Sequence, residues 1–221
     1  MKIKELILEK KIIAIVRGID QCALLPLAKA LYAGGIRLVE ITFDQSGACP
    51  EEKTAEGISL LSHEMRGKME VGAGTVLTKE QVQLAKDAGA GYIISPDTNP
   101  EVIRETKRLE MLSLPGPFTP SEAQRAYAAG ADFVKLFPIG SMGIDYIKAI
   151  LAPLCHIPVL AVGGVDEKNM PEYLKIGVCG FGIGSTLIRK DWISAGRFEE
   201  LTAHAKKYTN VIEEWNHVHS H

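Results

Sequence analysis

The sequence has few cysteines, and nothing in their arrangement suggests that they are paired. Cys22, Cys49, Cys155 and Cys179 are scattered through 221 residues, and no C-x-x-C pair occurs. A disulfide framework or a zinc ribbon needs cysteines at defined short spacings, so neither is expected, and a reducing compartment is favoured. The P-loop and the H-E-x-x-H zinc motif are also absent from the sequence.

The sequence also lacks an excess of charge of either sign and any long apolar run. The formal net charge is -2, and no basic stripe or block of like charge occurs, so nucleic acid is not an expected partner. No run approaches the ~20 apolar residues that span a bilayer. The N-terminal stretch MKIKELILEKK is charged throughout, unlike a signal peptide. These absences predict a cytoplasmic protein that does not bind membranes.

What the sequence does contain is a repeated unit of a β-rich run followed by a segment with helical spacing. Such alternation predicts βαβ units and a parallel sheet, and eight units in a chain of this length favour an α/β fold of the (β/α)8 TIM-barrel type. An open doubly wound sheet is the alternative. No linker interrupts the pattern, so one barrel domain is expected over residues 1–221, with a short extra N-terminal helix that closes one end. The eight runs are Ile12–Gly18, Leu38–Phe43, Glu70–Val76, Tyr92–Pro96, Met111–Gly116, Phe133–Pro138, Val159–Gly164 and Gly180–Ser185.

The sixth run carries a lysine among apolar residues, in the order Phe133-Val134-Lys135-Leu136-Phe137-Pro138. Lysine is rarely buried without a specific reason. An amine removed from water favours its neutral form, and neutral amines attack carbonyl carbons. Lys135 is therefore a candidate Schiff-base nucleophile. The alternatives are a lysine on an exposed edge strand and a structural ion pair.

Alternation along the strands predicts which side chains face the centre of the barrel. In the second run, Val39 and Ile41 suit the outer face that helices cover, so Glu40 points inward. In the third run the same rule groups Ala73 with Thr75. The predicted inner surface therefore holds four polar residues, Arg17, Glu40, Thr75 and Lys135. Polar residues near the C-terminal ends of barrel strands usually form the active site.

Glycines close the last two predicted strands, in Val162-Gly163-Gly164 and in Gly182-Ile183-Gly184-Ser185. Loops after strands seven and eight are the usual phosphate site of barrels, because exposed backbone amides bind anions there. The alternative is that these glycines only shape tight strand ends. Their presence at both expected positions predicts a phosphate-binding site.

These motifs together resemble one enzyme family. The sequence is similar to the 2-keto-3-deoxy-6-phosphogluconate / 4-hydroxy-2-oxoglutarate aldolases, which are class I aldolases with a (β/α)8 barrel. The resemblance runs from about Ile12 to Ile188. The segments that carry it are Gly34–Thr42, Val71–Val76, Ile94–Pro96, Pro115–Gly116 with Thr119–Glu122, and Val134–Pro138.

The resemblance implies a reaction and a set of roles. The substrate would be a 2-keto-3-deoxy-6-phospho sugar acid or 4-hydroxy-2-oxoglutarate, cleaved to pyruvate and an aldehyde, either glyceraldehyde 3-phosphate or glyoxylate. Lys135 would form the Schiff base, Glu40 would act as acid and base, and no metal or other cofactor would be needed. A homotrimer is also implied. The remaining site residues would contact substrate at Arg17, Thr75, Pro96 and Phe137, and phosphate at Gly163, Gly164, Gly184 and Ser185.

Two positions depart from the gluconate-type pattern. Asp44 stands where that pattern often has arginine, and Val162 stands where it often has threonine. The segments Met142–Ala149, Ala161–Val165 and Gly180–Ser185 are more similar to the 6-phosphogalactonate branch. Two other functions stay open from the sequence: an isomerase or synthase without a Schiff base, and a non-catalytic protein that binds sugar phosphates.

Overall fold

The computed structural model describes residues 2–219, in which eight strands alternate with helices. The strands are β1 (Ile12–Val16), β2 (Leu38–Thr42), β3 (Glu70–Gly74), β4 (Tyr92–Ile94), β5 (Leu112–Leu114), β6 (Val134–Leu136), β7 (Val159–Val162) and β8 (Gly180–Ile183). The helices are α1 (Ile3–Lys10), α2 (Gln21–Ala33), α3 (Glu51–Glu64), α4 (Lys79–Asp87), α5 (Pro100–Arg108), α6 (Pro120–Ala128), α7 (Gly143–Leu151), α8 (Met170–Lys175), α9 (Lys190–Ser194) and α10 (Phe198–His219).

The strands form one parallel sheet in the order β5-β4-β3-β2-β1-β8-β7-β6. Backbone hydrogen bonds also connect its two ends, since the amide of Lys135 donates to the carbonyl of Pro115 at 2.8 Å and that of Phe133 to Ser113 at 3.4 Å. The sheet is therefore a nearly closed barrel, and the predicted (β/α)8 fold is confirmed over the open sheet.

All eight predicted strands are present, but each predicted C-terminal end lies one or two residues beyond the observed end. β6, for example, ends at Leu136 and β4 at Ile94, before the prolines that follow each of them in the sequence. Proline has no amide to donate to a ladder, so the chain leaves the sheet near it. The polar residues that follow the strands therefore lie in loops at the C-terminal mouth of the barrel.

Two groups of apolar side chains fill the two sides of the sheet. The larger group lies between strands and helices and includes Val39, Ile41, Val134 and Leu136. A smaller group fills the barrel interior away from the mouth: Ile13, Leu38, Tyr92, Ile94, Leu114, Phe133, Leu160 and Ile7 of α1. Because Ile7 is fully buried in the interior group, the N-terminal helix closes this end as predicted.

The third strand contradicts one detail of the predicted alternation. Ala73 packs in the outer core and does not share an inner face with Thr75. The inner positions are Gly72 and Gly74, because a Cβ on Gly72 would enter the ring of Tyr92 and one on Gly74 would lie 2.8 Å from the carboxylate of Glu40. The absence of side chains at these positions leaves space at the barrel centre for larger neighbours.

Local signals explain where several helices begin. The Thr119 side chain accepts a hydrogen bond from the amide of Glu122, whose carboxylate accepts one from the amide of Thr119. This reciprocal cap, with Pro120 at the first helical position, starts α6 directly after the β5 loop. No helix within residues 2–219 combines the length and the apolar character required to cross a bilayer.

Candidate active site

Lys135 and Glu40 lie at the centre of the barrel, on β6 and β2. The lysine is 7% exposed and the glutamate 2%, so both are removed from water. The Lys135 ammonium group lies 5.1 Å from the ring centroid of Phe137. No ion pair within 4.0 Å joins the amine to the Glu40 carboxylate. The structure therefore contradicts both an exposed edge lysine and a close structural ion pair.

Burial dominates the electrostatics of both groups. It raises the pKa of Glu40 to about 7, against the opposing effect of the Lys135 and Arg17 charges. Burial also lowers the pKa of Lys135, and the positive charge of Arg17 lowers it further, while Glu40 and Asp97 act in the opposite direction. A carboxyl group with a pKa near 7 exchanges protons readily at neutral pH, and an amine with a lowered pKa is more often neutral.

Two buried oxygens on the inner face of β2 have no hydrogen-bond partner among residues 2–219. They are Oε2 of Glu40 and Oγ1 of Thr42. Buried polar atoms are nearly always hydrogen-bonded, so a pair without partners needs an explanation. Both atoms belong to the part of the barrel that holds the lysine, where a bound molecule with hydroxyl groups would satisfy them.

Arg17 and Thr75 meet at the barrel mouth. The Arg17 guanidinium donates to the Thr75 hydroxyl at 3.3 Å, and the side chain of Gln45 donates to the Thr75 carbonyl at 3.1 Å. Thr75 has a φ of +57°, in the left-handed region that β-branched residues rarely adopt. This backbone turns its side chain away from the position that strand alternation assigns. Thr75 therefore lies where predicted, but for a different physical reason.

A cavity of about 420 Å³ opens at the mouth, within the size range of small-ligand sites. Arg17 and Phe137 line one side of it, and the loops after β7 and β8 line another. The predicted phosphate residues Gly163, Gly164, Gly184 and Ser185 all border this cavity. Lys135 does not line it, but the adjacent ring of Phe137 connects the two regions.

The glycine pair after β7 exposes its backbone toward this cavity. Gly163 and Gly164 have φ angles of +90° and +79°, and a Cβ on Gly164 would lie 2.9 Å from Cα of Gly140. Glycine is required at such a position. The amides of Gly163, Gly164 and Ser185 donate no hydrogen bond to any other residue in the described part of the chain. Amides without partners at a cavity wall are suited to an anion.

The two residues that depart from the gluconate-type pattern behave differently. Val162 lines the cavity. The Asp44 carboxylate instead accepts hydrogen bonds from its own loop, at 3.0 Å from the amide and 2.8 Å from the hydroxyl of Ser46 and at 2.9 Å from the amide of Cys49. The bonds from Ser46 hold the pKa of Asp44 below its ordinary value. Asp44 therefore shapes the loop after β2.

Three residues near the site are not among the site residues that the sequence predicts. Gln45 supports Thr75. Asp97 follows β4, and the charge of Lys135 acts on its carboxyl group, whose pKa is raised mainly by burial. Lys190 lines the cavity. Gln45 and Asp97 closely follow the C-terminal ends of β2 and β4, and that position is the signal which would have identified them. Lys190 is the first residue of α9, and no such signal marks it. Pro96 follows β4 too, with its carbonyl packed against Gly116.

Within residues 2–219, no group of three or more histidine, cysteine, aspartate or glutamate side chains is arranged to hold a metal ion.

Comparison with known proteins agrees with this geometry. The family described as KDPG and KHG aldolase matches residues 3–204. The chain belongs to this family. It is an aldolase, a carbon–carbon lyase of the aldehyde-lyase class, and the predicted resemblance is confirmed. Family membership favours this activity over an isomerase, a synthase and a binding protein.

Individual relatives of the aldolase include both branches of the family. A Rhizobium meliloti protein named "Probable 2-dehydro-3-deoxy-6-phosphogalactonate aldolase" is 38% identical over 86% of the chain and 86% of the relative. A solved structure described as native KDPGal is 35% identical, with a TM-score of 0.81 over 92% of this chain and 94% of that one. The Legionella pneumophila KDPG aldolase, solved with pyruvate captured as a covalent carbinolamine, is 27% identical, with a TM-score of 0.83 over 93% and 97%.

Proposed function

We propose that this aldolase cleaves a 2-keto-3-deoxy-6-phospho sugar acid, of gluconate or galactonate type, through a Schiff base on Lys135. The products are pyruvate and glyceraldehyde 3-phosphate. One observation carries the proposal: a buried lysine of lowered pKa shares the barrel centre with a carboxyl group whose pKa is about 7, and the two form no ion pair. The covalent pyruvate adduct described for the Legionella relative supports the same chemistry.

The neutral amine of Lys135 adds to the C2 ketone of the substrate. Loss of water gives an iminium, which withdraws electrons from the adjacent carbon. Glu40, directly or through a water molecule, removes the proton of the C4 hydroxyl, the C3–C4 bond breaks, and the aldehyde leaves. The electron pair of that bond forms an enamine. Glu40 returns a proton to C3, and hydrolysis of the resulting iminium releases pyruvate and restores the amine.

The other residues of the site bind the two ends of the substrate. The Thr75 hydroxyl and the Arg17 guanidinium, which contact one another, suit the carboxylate of the pyruvoyl end. Pro96 and Phe137 flank the reacting carbons. The amides of Gly163, Gly164 and Ser185, with Gly184, bind the phosphate at the cavity wall.

Trapping of the Schiff base tests the role of Lys135. The protein is incubated with pyruvate and borohydride, and peptide mass spectrometry locates the reduced adduct. We expect modification at Lys135 in the wild type and none in Lys135→Met. Equal pyruvate release by Lys135→Met and the wild type would exclude the mechanism.

A coupled pyruvate-release assay identifies the substrate. It compares 2-keto-3-deoxy-6-phosphogluconate, its galactonate epimer and 4-hydroxy-2-oxoglutarate at equal concentrations. We expect one of the phosphorylated acids to give the highest kcat/KM. Faster turnover of 4-hydroxy-2-oxoglutarate would contradict the assigned substrate class while leaving the Schiff base intact.

We further propose that residues 1–221 act as one domain and that the aldolase assembles as a homotrimer. The single barrel sheet supports one domain, and the family resemblance supports the trimer. Light scattering coupled to size-exclusion chromatography measures the assembly mass, and a monomer mass would exclude the trimer. Cytoplasmic location stays a prediction, which rests on the scattered cysteines of the sequence.

A further inference from the structure

The cavity at the barrel mouth carries an unbalanced charge. Two cations, Arg17 and Lys190, line it, and no acidic side chain does. Neither cation forms an ion pair within 4.0 Å with any residue from 2 to 219. A cavity wall with unpaired positive charge and no acidic side chain suits an anionic ligand.

Lys190 reaches the cavity from the first position of α9, the helix that follows β8. It is exposed, and its Nζ atom lies 3.2 Å from the position that a Cβ on Gly18 would occupy. Gly18 directly follows Arg17 in the chain. The ammonium group therefore lies across the mouth against the loop after β1, close to the backbone that carries the other cation.

The neighbouring cation, Arg189, is paired with a carboxylate outside the cavity. The Arg189 guanidinium donates to both carboxylate oxygens of Asp191, at 3.2 and 3.0 Å, and lies 4.8 Å from the ring centroid of Trp192. Arg189 also does not line the cavity. Of these two adjacent basic residues, only Lys190 lines the cavity and is free of an ion pair with a carboxylate.

We propose that Lys190 contacts the terminal phosphate of the substrate and makes the aldolase selective for phosphorylated acids. This inference rests on the proposed function. A phosphate monoester carries about 1.5 to 2 negative charges at pH 7, and neutral amides alone leave most of that charge uncompensated. Arg17 also donates to the Thr75 hydroxyl and is assigned above to the carboxylate of the substrate. Lys190 therefore supplies a second cation that acts on the phosphate alone.

The proposal predicts a specific kinetic pattern for Lys190→Met. The phosphate does not change during the reaction, so loss of a contact to it raises KM and leaves kcat unchanged. We expect KM for the phosphorylated substrate to rise about tenfold, as for one lost charge-assisted contact of about 1.4 kcal/mol. With 4-hydroxy-2-oxoglutarate, which has no phosphate, KM should stay within about twofold of the wild type on the same scale.

A binding measurement tests Lys190 without any turnover. Isothermal titration compares glycerol 3-phosphate with glycerol on the wild type, Lys190→Met, Lys190→Arg and Lys175→Met. Lys175 is a matched control because it is an exposed lysine at the far end of α8, outside the cavity. We expect the wild type to prefer glycerol 3-phosphate, Lys190→Met to lose about tenfold in affinity for it, and the other two variants to retain it.

Each result then has one meaning. Equal affinity of Lys190→Met and the wild type for glycerol 3-phosphate overturns the role of Lys190, and so does a wild type that shows no preference over glycerol. Failure of pyruvate trapping at Lys135 overturns the Schiff base instead, because pyruvate has no phosphate and its trapping does not depend on Lys190.

Discussion

Lys135 and Glu40 are each buried in a way that opposes their charged forms. The pKa of the acid rises to about 7 and that of the amine falls. Near neutral pH, a share of the molecules therefore holds a neutral amine beside a carboxyl group that both releases and accepts protons. That protonation state is required for attack on a ketone followed by proton transfer.

The Glu40 pKa has a consequence for stability. In the folded protein the pKa is about 7, above the ordinary value of 4.5. Between these two values the folded state holds a proton that the unfolded state has released, so stability falls as pH rises through this window. We expect Glu40→Gln, which cannot ionise, to be more stable than the wild type at pH 8 by up to about 3 kcal/mol. The gain should vanish near pH 4.5, as measured by urea unfolding at both pH values.

The control for this prediction is Glu213→Gln on α10. Glu213 is exposed and forms no ion pair with any residue from 2 to 219. Its substitution should leave the pH dependence of unfolding unchanged. A Glu40→Gln variant that is less stable than the wild type at pH 8 would show that the carboxylate stabilises the fold.

The sequence predicts the central residues better than those at the rim. Glu40 and Lys135 interrupt apolar strands, so alternation and burial identify them from the sequence alone. Gln45 lies in a loop, and Lys190 is the first residue of the five-residue helix α9, and neither position has a periodicity that indicates the direction of a side chain. Their contacts depend on how loops from distant parts of the chain meet at the mouth, which only the folded structure shows.

At the scale of the element, β3 shows how a strand end departs from its pattern. The strand ends at Gly74, and Thr75 enters the left-handed region, with Arg17 and Gln45 bonded to its hydroxyl and carbonyl. Strained residues of this kind persist where surrounding contacts hold them, and they cluster at active sites. The left-handed conformation brings the Thr75 hydroxyl to the site, whereas a regular strand would direct this side chain into the outer core.

Replacement of Thr75 by glycine should separate strain from function. Glycine adopts a positive φ without penalty, so we expect Thr75→Gly to gain about 1 kcal/mol in the free energy of unfolding. The same change removes the hydroxyl that Arg17 contacts, and KM for the substrate should rise about tenfold, the cost of roughly one hydrogen bond to a charged group. Chemical unfolding and steady-state kinetics measure the two effects.

Thr75→Ser is the companion variant. It keeps the hydroxyl and the left-handed backbone, so KM should stay close to that of the wild type. If Thr75→Gly is less stable than Thr75→Ser, the backbone at this position is not strained in the way its φ angle indicates.

At the scale of the whole molecule, the barrel is closed at the end opposite the active site by α1. Ile7 of this helix is fully buried against the interior layer that includes Phe133 and Leu160, whereas Leu8 is 39% exposed. α1 also packs against the long C-terminal helix α10. The N-terminal segment is therefore part of the core.

Truncation of Ile7 should test this closure. We expect Ile7→Ala to lose about 2–5 kcal/mol in the free energy of unfolding, as for other large-to-small changes in a packed core. Leu8→Ala in the same helix should change it by less than about 0.5 kcal/mol, since its side chain is largely in water. Guanidinium unfolding compares the two, and equal losses would mean that α1 does not fill the barrel end.

The overall fold was more predictable than its closure. Eight repeats of strand and helix specify the barrel class, because each strand needs helices on its outer face. The sequence could not show how the first and last strands of the sheet order meet. That contact depends on the backbone register of β5 and β6 and on the short length of both strands. Side-chain periodicity does not indicate this register.

At the junction where β5 meets β6 and the barrel closes, one residue has two separate roles. The main-chain amide of Lys135 donates a hydrogen bond across this junction to the carbonyl of Pro115, while the side chain of Lys135 carries the reactive amine. Reactivity belongs to the side chain and ring closure to the peptide group, so the two are separable by substitution. An inactive variant with another side chain at position 135 would therefore keep a closed barrel and could still bind a substrate that it does not cleave.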